Sequence, residues 1–213
     1  MINLVCFLEE SSAREMLKGV LTRLLPNDVE CTYIVFDGKQ DLEKQLVRKL
    51  QNWLKPDSVF LVMRDQDAAD CSSVKEQLSS LCREAGRPET LVRIACRELE
   101  SFYFGDLSAV EAGLGIKSIV NQQQKAKYRI PDDIVNPSRE LVKLTNGVYQ
   151  KVSGSRSIGP LLSLEKNSSL SFNTLITGIR NLFSVQSGVI GLESEIINRS
   201  QSCNRRSKYE PFS

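Results

Sequence analysis

The chain has 213 residues, of which 41% are hydrophobic, 25% are charged and none is histidine. Its length fits one large domain or a domain with an appendage, and the lack of histidine excludes Ser-His-Asp catalysis, Cys-His catalysis and every metal site with histidine ligands. The net charge of +2 is unevenly distributed: residues 1–116 hold 14 Lys/Arg and 19 Asp/Glu, a net charge of −5, whereas residues 117–213 hold 14 and 7, a net charge of +7.

Strand-like and helix-like segments alternate over the first hundred residues. Apolar runs predict strands at 2–8, 29–36, 58–63 and 91–96, and helical periodicity predicts helices at 11–25, 41–54 and 72–86. Pro26 and Pro56 follow two of these helices, Gly86 ends the third, and Ser11 or Ser12 can cap the first. The alternation predicts an α/β fold with a mostly parallel, doubly wound sheet.

The pattern changes after residue 105. A short helix is predicted at 107–115, and the polar residues 117–140 are typical of a loop-rich insertion. A partly helical stretch at 140–152, a hydroxyl-rich loop from 153 and a helix from about 172 follow, with Ser171 as a candidate cap. We therefore divide the chain into an α/β core at 1–116, a basic extension of helices and loops at 117–184 packed on the core, and a weakly structured basic tail at 185–213.

Acidic residues follow three of the four predicted strands. They are Glu9 and Glu10 after the first strand, Asp65 and Asp67 after the third, and Glu98 and Glu100 after the fourth. Because the carboxyl ends of parallel strands share one edge of a sheet, we expect these side chains to converge where α/β proteins bind ligands. Two carboxylates about 4 Å apart repel by roughly 1 kcal/mol in water and about 4 kcal/mol near a protein surface, so solvation alone explains such a cluster poorly. Asp70 is interpreted as the cap of the helix at 72–86.

Carboxylate oxygens are hard ligands that suit Mg²⁺ or Mn²⁺, and two such ions about 4 Å apart stabilise the attacking and leaving oxygens of a phosphodiester displacement. Adjacent residues of a strand point to opposite sides, and residues i and i+2 of a helix do not share a face, so one member of each Glu pair is expected to bind metal. The spacing does not decide which member. The predicted metal ligands are Glu9, Glu10, Asp65, Asp67 and Glu98, and the predicted catalytic residues are these five together with Glu100.

A polyanionic substrate needs cations beside the acids. Arg64 and Arg97 flank the acids in the sequence, and Lys151, Arg156 and Lys166 lie among serines and glycines whose N–H and O–H groups can bind phosphate. These five residues are the predicted substrate-binding cations. The positive charge of residues 117–213 agrees with binding of nucleic acid, although two ordinary surfaces of one domain would give the same distribution.

The cysteine spacing and the lengths of the apolar runs indicate the cellular compartment in which the protein is expected. The six cysteines form no CxxC pair, so the spacing of a zinc site is missing. No apolar run reaches about 18 residues, and the first residues are typical of a strand and not of a signal peptide. These features predict a reducing, cytoplasmic setting and no membrane partner.

The order of these motifs resembles the Toprim domain, which topoisomerases, bacterial primases and the overcoming-lysogenization-defect nucleases share. The matching residues are Glu9 or Glu10 in FLEE, and Asp65 and Asp67 in MRDQD. The segments RIACRELESFYFGD, KVSGSRSIGPLL and NSSLSF resemble a bacterial and archaeal family of Toprim-like proteins, domain-of-unknown-function family 4276. This second resemblance spans roughly residues 1–183.

The resemblance implies a Toprim-like fold with a Mg²⁺-dependent site for cleavage or strand transfer of nucleic acid, with DNA favoured over RNA. The glutamate after the first strand would be a metal ligand or general acid/base, and Asp65 and Asp67 would hold metal. Relatives often work beside an ATPase in antiphage defence, and any ATPase must be a separate chain because no GxxxxGK[ST] motif is present. No extended tyrosine-bearing domain is present, so a covalent tyrosyl intermediate is not expected.

Two other functions remain open. Haloacid-dehalogenase-like phosphatases and phosphotransferases also end a strand in Asp-x-Asp, although they carry it on the first strand and here it follows the third. A non-enzymatic partner of an ATPase would use the acids only as a docking face.

Overall fold

The structure, a computed structural model, describes residues 1–184, so the predicted tail at 185–213 lies outside the described residues. Four strands form one sheet: β1 (Ile2–Leu8), β2 (Val29–Val35), β3 (Ser58–Asp65) and β4 (Leu91–Ala95). The strand order is β2-β1-β3-β4, and all neighbouring strands are parallel. The prediction of a parallel α/β sheet is confirmed. Strand β3 continues to Asp65, so this carboxylate is part of the strand and not of the following loop.

Helices cover both faces of the sheet. They are α1 (Ser11–Leu24), α2 (Lys39–Gln51), α3 (Cys71–Glu84), α4 (Glu100–Phe104), α5 (Leu107–Leu114), α6 (Pro137–Leu144), α7 (Lys151–Ile158) and α8 at 170–184. The loop-rich region between α5 and α6 contains three short 3₁₀ helices, at Val120–Gln122, Ala126–Tyr128 and Pro131–Asp133. None of the helices within residues 1–184 combines the length and the apolar character needed to cross a membrane.

Strand β1 is buried on both of its faces. Leu4, Cys6 and Leu8 pack into the core beneath α1 and the extension, while Val5 and Phe7 pack into the core beneath α2 and α3. An unbroken apolar run is what a parallel strand covered on both faces requires. The first of these two cores also contains side chains from α5, α7 and α8, so the 117–184 segment shares a core with the sheet.

The 3₁₀ turn Gly159–Leu161, which directly follows α7, packs closely on α1 at glycine positions. A Cβ atom on Gly159 would lie 2.7 Å from the carbonyl oxygen of Met16, and one on Gly19 would lie 2.3 Å from the nitrogen of Pro160. Both distances are shorter than any side-chain carbon tolerates, so only glycine allows this approach. The contact holds the end of α7 against the middle of α1.

Three local predictions were wrong, and one was confirmed. The hydroxyl-rich loop from 153 is helix α7, because its contact with α1 outweighs the weak helix propensity of serine and glycine. Glu10 and not a serine precedes α1, and the Ser12 hydroxyl donates to the Glu10 carboxylate instead of capping the helix. Ser169 and not Ser171 caps α8, accepting the N–H of Phe172 at 3.1 Å. Asp70 caps α3 as predicted, accepting the N–H of Ser73 at 2.8 Å.

Candidate functional site

Glu9 and Asp65 meet at the carboxyl edge of the sheet, at the ends of the neighbouring strands β1 and β3. The backbone N–H of Asp65 donates to Oε2 of Glu9 at 3.0 Å, and Nε of Arg64 lies 4.0 Å from the same oxygen. Burial raises the pKa of Glu9, and the Asp65 N–H and the Arg64 guanidinium offset this only in part. The pairing of β1 with β3 therefore brings together two of the acidic strand ends.

Asp65 is a buried carboxylate that is surrounded by other acids. Its pKa is raised well above the usual value, first by burial and then by the charges of Glu100, Glu10 and Glu9, while Lys151 opposes the shift. A buried carboxylate is costly to ionise unless hydrogen-bond donors or a cation compensate for the lost hydration. The side chains around Asp65 therefore supply too little positive charge to compensate for its ionisation.

Glu100, the first residue of α4, is fully buried with 0% exposure. The hydroxyl of Tyr149 donates to its Oε1 at 2.8 Å, but its Oε2 is buried and has no hydrogen-bond partner within residues 1–184. Burial raises the pKa of Glu100, and Lys151 and the Tyr149 hydroxyl lower it in part. An unpaired buried oxygen of this kind costs about 1–3 kcal/mol, so a ligand that binds it would stabilise the fold.

Lys151, the first residue of α7, brings a cation to these acids. Its Nζ lies 3.3 Å from both carboxylate oxygens of Glu10. Partial burial alone would lower the pKa of Lys151, but the charges of Glu100, Glu10 and Asp65 raise it well above the usual value. One lysine thus balances several carboxylates, and the α1–α7 packing holds it in place.

We call Glu9, Glu10, Asp65 and Glu100 the acid cluster. Its possible ligand atoms are carboxylate oxygens, which Mg²⁺ and Mn²⁺ prefer, and the unpaired Oε2 of Glu100 beside the desolvated Asp65 fits a bound cation. Within residues 1–184, no three Asp, Glu, Cys or His side chains already lie close enough together to hold one ion. Binding of a metal therefore requires rotation of these side chains.

Comparison with known proteins identifies the family to which this arrangement belongs. A family model described as Domain of unknown function (DUF4276) matches residues 8–180. The chain belongs to the DUF4276 family. The resemblance seen in the sequence is thereby confirmed for this family.

The fold of this DUF4276 chain also matches a solved structure. The C-terminal region of the Burkholderia pseudomallei OLD protein superposes with a TM-score of 0.50 and 12% sequence identity, over 84% of this chain and 97% of that one. At this identity the match shows a shared fold. The sequence matches no curated protein.

The Asp67 carboxylate of this DUF4276 chain lies near two cations. Its Oδ2 lies 2.7 Å from Nζ of Lys39 and 3.8 Å from Nη2 of Arg64. Its backbone has a positive φ of 57°, and its N–H donates to the carbonyl of Arg97 at 2.8 Å. A non-glycine residue in this conformation is strained, and such strain is concentrated at functional sites. The two aspartates of the Asp-x-Asp motif thus have different partners: the N–H of Asp65 bonds Glu9, and the Asp67 carboxylate pairs with Lys39.

Arg64 was predicted to bind substrate, but its side chain is only 4% exposed. It donates to the carbonyl of Asp65 at 3.0 Å and forms an ion pair with Glu43. Because it also lies near Glu9 and Asp67, it acts as a buried counter-charge beneath the acids. A substrate phosphate does not reach it in this arrangement.

Glu98 does not face the acid cluster. Its Oε2 accepts the N–H of Ser138 at 2.7 Å, at the start of α6. Glu98 and Glu100 are two residues apart, so their side chains diverge, and Glu100 is the one that lies beside Asp65. The predicted ligand set contained Glu98 and omitted Glu100, and the structure places Glu100 at the site instead.

The other predicted cations are distributed around the site. Arg97 lines a neighbouring cavity and has a positive φ of 62°. Arg156 forms an ion pair with Glu15 of α1, with Nε 2.7 Å from Oε2, so it joins the two helices. The side chain of Lys166 makes no ion pair with any described residue and lies in the turn before α8. Among the five predicted cations, Lys151 alone contacts an acid-cluster carboxylate from the partly exposed side.

Sequence reasoning missed three residues of the site: Lys39, Glu43 and Tyr149. Lys39 and Glu43 lie one turn apart on α2 and balance Asp67 and Arg64. Tyr149 contacts Glu100 across 49 residues of sequence. No local pattern marks such contacts, because they depend on how α2 and the extension pack around the sheet edge.

Proposed function

We propose that this chain is a Mg²⁺-dependent nuclease that acts on nucleic-acid phosphodiesters at the acid cluster. The observation that carries the proposal is the unpaired, buried Oε2 of Glu100 beside Asp65, whose own carboxylate is desolvated among other acids. The fold shared with the C-terminal region of an OLD protein supports the same class of reaction. The resemblance of FLEE and MRDQD to Toprim motifs supports it as well.

In this proposal Asp65, Glu100 and one of Glu9 and Glu10 hold Mg²⁺, or Mn²⁺ in its place. When bound, the ion would supply charge stabilisation to the phosphate oxygens and would activate a water for attack. Lys151 binds a phosphate oxygen, since its Nζ is already at the open side of the cluster. Arg64 stays buried and supplies a counter-charge to Glu9 and Asp67.

The partner that we propose is a separate ATPase, with this chain as the effector subunit of an antiphage defence system that acts on DNA in preference to RNA. The support is the resemblance to overcoming-lysogenization-defect nucleases together with the lack of a GxxxxGK[ST] motif in the sequence.

The proposal is tested by incubating the purified chain with supercoiled plasmid in Mg²⁺ or Mn²⁺. Asp65→Asn and Glu100→Gln keep the side-chain volumes and remove the charges, and both are expected to lower the cleavage rate by at least about 100-fold. Asp28→Asn and Glu76→Gln are matched controls, because both residues are exposed, and Glu76 pairs only with Arg83 on its own helix. Equal cleavage by all four variants would identify a contaminant and contradict the proposal.

The position of Lys151 favours a second candidate, a docking subunit without catalytic activity. Lys151 already pairs with Glu10, and no three metal-ligating side chains within residues 1–184 lie close enough together to hold one ion. Titration calorimetry with Mg²⁺ distinguishes the nuclease from the docking subunit. A heat of Mg²⁺ binding that the parent chain shows and Glu100→Gln lacks would support the nuclease. No heat with the parent chain supports docking. Hydrolysis of a small chromogenic phosphate ester without action on DNA would instead favour the phosphatase alternative.

A further inference from the structure

Two cysteine side chains share one cavity between α3, β4 and α8. Cys71 is the first residue of α3, and Cys96 follows β4 directly. Both line a cavity of about 180 Å³, together with apolar side chains of β4 and α8. The cavity lies outside the acid cluster, and the proposed nuclease does not use either thiol.

Backbone hydrogen bonds join the two loops that lead to these cysteines. The N–H of Gln66 donates to the carbonyl of Ala95 at 2.9 Å, and the N–H of Asp67 donates to the carbonyl of Arg97 at 2.8 Å. These bonds fasten the loop after β3 to the loop after β4. Cys71 and Cys96 line the same cavity, and burial, Asp132 and the nearby Cys71 thiol raise the pKa of Cys96 to about 11.

The exposure of the described cysteines distinguishes this pair from the others. Cys71 and Cys96 are both partly exposed, whereas Cys6 and Cys82 are buried. Cys31 is partly exposed as well, but its neighbour Cys6 has 0% exposure. Within residues 1–184, Cys71 and Cys96 therefore form the pair of thiols that share one cavity and that a small oxidant can reach on both sides.

We propose that Cys71 and Cys96 are a modification site, a dithiol that hydrogen peroxide converts to an intrachain disulfide. One sulfur attacks a peroxide oxygen, the O–O bond breaks, and the released hydroxide takes the thiol proton to form water. The second sulfur attacks the resulting sulfenic acid, an S–S bond forms, and hydroxide leaves with the second thiol proton as another water. The two sulfurs lose two electrons, and the peroxide gains them.

The bridge would join the loop that carries Asp67 to the loop that carries Glu98. Because the two loops are already fastened by backbone hydrogen bonds, the disulfide forms without a change of fold. This proposal does not depend on the proposed nuclease activity, since its product is detected by mass.

The experiment treats the reduced chain with hydrogen peroxide and compares tryptic digests before and after reduction. Cys203 lies outside the described residues and is replaced by serine in every sample. The expected product is the peptide 65–75 joined to the peptide 94–97, with an intact mass about 2 Da below that of the reduced chain. Reduction should separate the two peptides, and the melting temperature of the oxidised form should exceed that of the reduced form by roughly 5 °C or more.

The variants Cys71→Ser and Cys96→Ser should lose the joined peptide, whereas Cys82→Ser, a buried cysteine of the same helix, should keep it. The digest of the parent chain decides the matter even where a variant fails to fold. Separate peptides carrying sulfinic or sulfonic acid, or Cys96 joined to a different cysteine, would overturn the proposal.

Discussion

The hydroxyl of Tyr149 donates to Oε1 of Glu100 at 2.8 Å, and both side chains are almost completely buried. This bond fixes one carboxylate oxygen and leaves Oε2 as the one available to a ligand. Tyr149 is held in turn, because its N–H donates to Oγ1 of Thr145 at 3.1 Å and its ring packs against Gly154. Burial raises the pKa of the tyrosine, and the charges of Tyr103 and Glu100 raise it further, so it remains a donor. Tyr149, which belongs to the basic extension at 117–184, thus orients Glu100, an acidic residue of the core.

Tyr149→Phe removes this donor and leaves a second buried oxygen of Glu100 without a partner. We expect the free energy of unfolding to fall by about 1.5–3 kcal/mol at pH 7, as for a hydrogen bond to a charged group, and Mg²⁺ binding to weaken by roughly 10-fold. Chemical denaturation and titration calorimetry measure the two effects.

The matched control is Tyr103→Phe, which removes a buried hydroxyl that bonds Ser155 at 2.6 Å and leaves Glu100 untouched. It should lower stability by about 1 kcal/mol and leave Mg²⁺ binding unchanged. Equal losses of Mg²⁺ affinity in both variants would show that Tyr149 does not orient Glu100.

Asp65→Asn should stabilise the metal-free protein, because it removes a desolvated charge. The pKa of Asp65 is raised in the folded state, so the folded chain binds more protons than the unfolded chain between the unfolded value near 4 and the folded value. The parent therefore loses stability as the pH rises through that window, and the variant lacks this contribution. The expected gain is about 1–3 kcal/mol at pH 7 and becomes small near pH 4.

Thermal unfolding at a series of pH values gives this difference, with Asp28→Asn as the control for an exposed aspartate. If the stability difference between Asp65→Asn and the parent stays constant from pH 4 to pH 7, the pKa of Asp65 is not raised in the folded state. Mg²⁺ should raise the melting temperature of the parent and leave that of Asp65→Asn unchanged.

Gly159→Ala should separate α7 from α1. Its new Cβ would lie 2.7 Å from the carbonyl oxygen of Met16, and backbone atoms cannot rotate away as the end of a side chain can. We expect a loss of about 2–4 kcal/mol in the free energy of unfolding, measured by denaturant titration. Ser157→Ala is the control, because it adds no atoms at an exposed position two residues earlier, in the last turn of α7, and should change stability by less than about 0.5 kcal/mol. A neutral Gly159→Ala would mean that the helices do not need this close approach.

The sheet and part of the site could be predicted from the sequence, because both depend on local periodicity. Apolar runs at strand length with helices between them require parallel strands, and parallel order places Glu9 and Asp65 at one edge. The pairing of β1 with β3 then sets their contact through the Asp65 N–H. These features follow from periodicity, which is local.

The rest of the site depends on contacts that periodicity does not encode. Glu98 and Glu100 look equivalent in the sequence, and only the packing of α4 against Tyr149 selects Glu100. Lys39 reaches Asp67 across 28 residues, and Lys151 reaches Glu10 across 141. Such pairs are set by the folded arrangement of α2 and α7, so sequence spacing gives no signal for them.

Lys151→Met removes the cation from the acid cluster and keeps most of the side-chain volume. Because 44% of the Lys151 side chain is exposed, we expect a loss of only about 1–2 kcal/mol at pH 7, less than for a fully buried pair. The loss should shrink toward pH 4, where protonation of Asp65 and Glu100 removes the repulsion that Lys151 offsets.

Mg²⁺ should raise the melting temperature of Lys151→Met more than that of the parent, since the cation then supplies the missing positive charge. Lys143→Met is the matched control, because Lys143 is exposed on α6 and makes no ion pair within residues 1–184. Thermal unfolding with and without Mg²⁺ at pH 5 and pH 7 measures all of these differences. If Mg²⁺ stabilises the two variants equally, Lys151 does not balance the acid cluster, and the metal does not bind there.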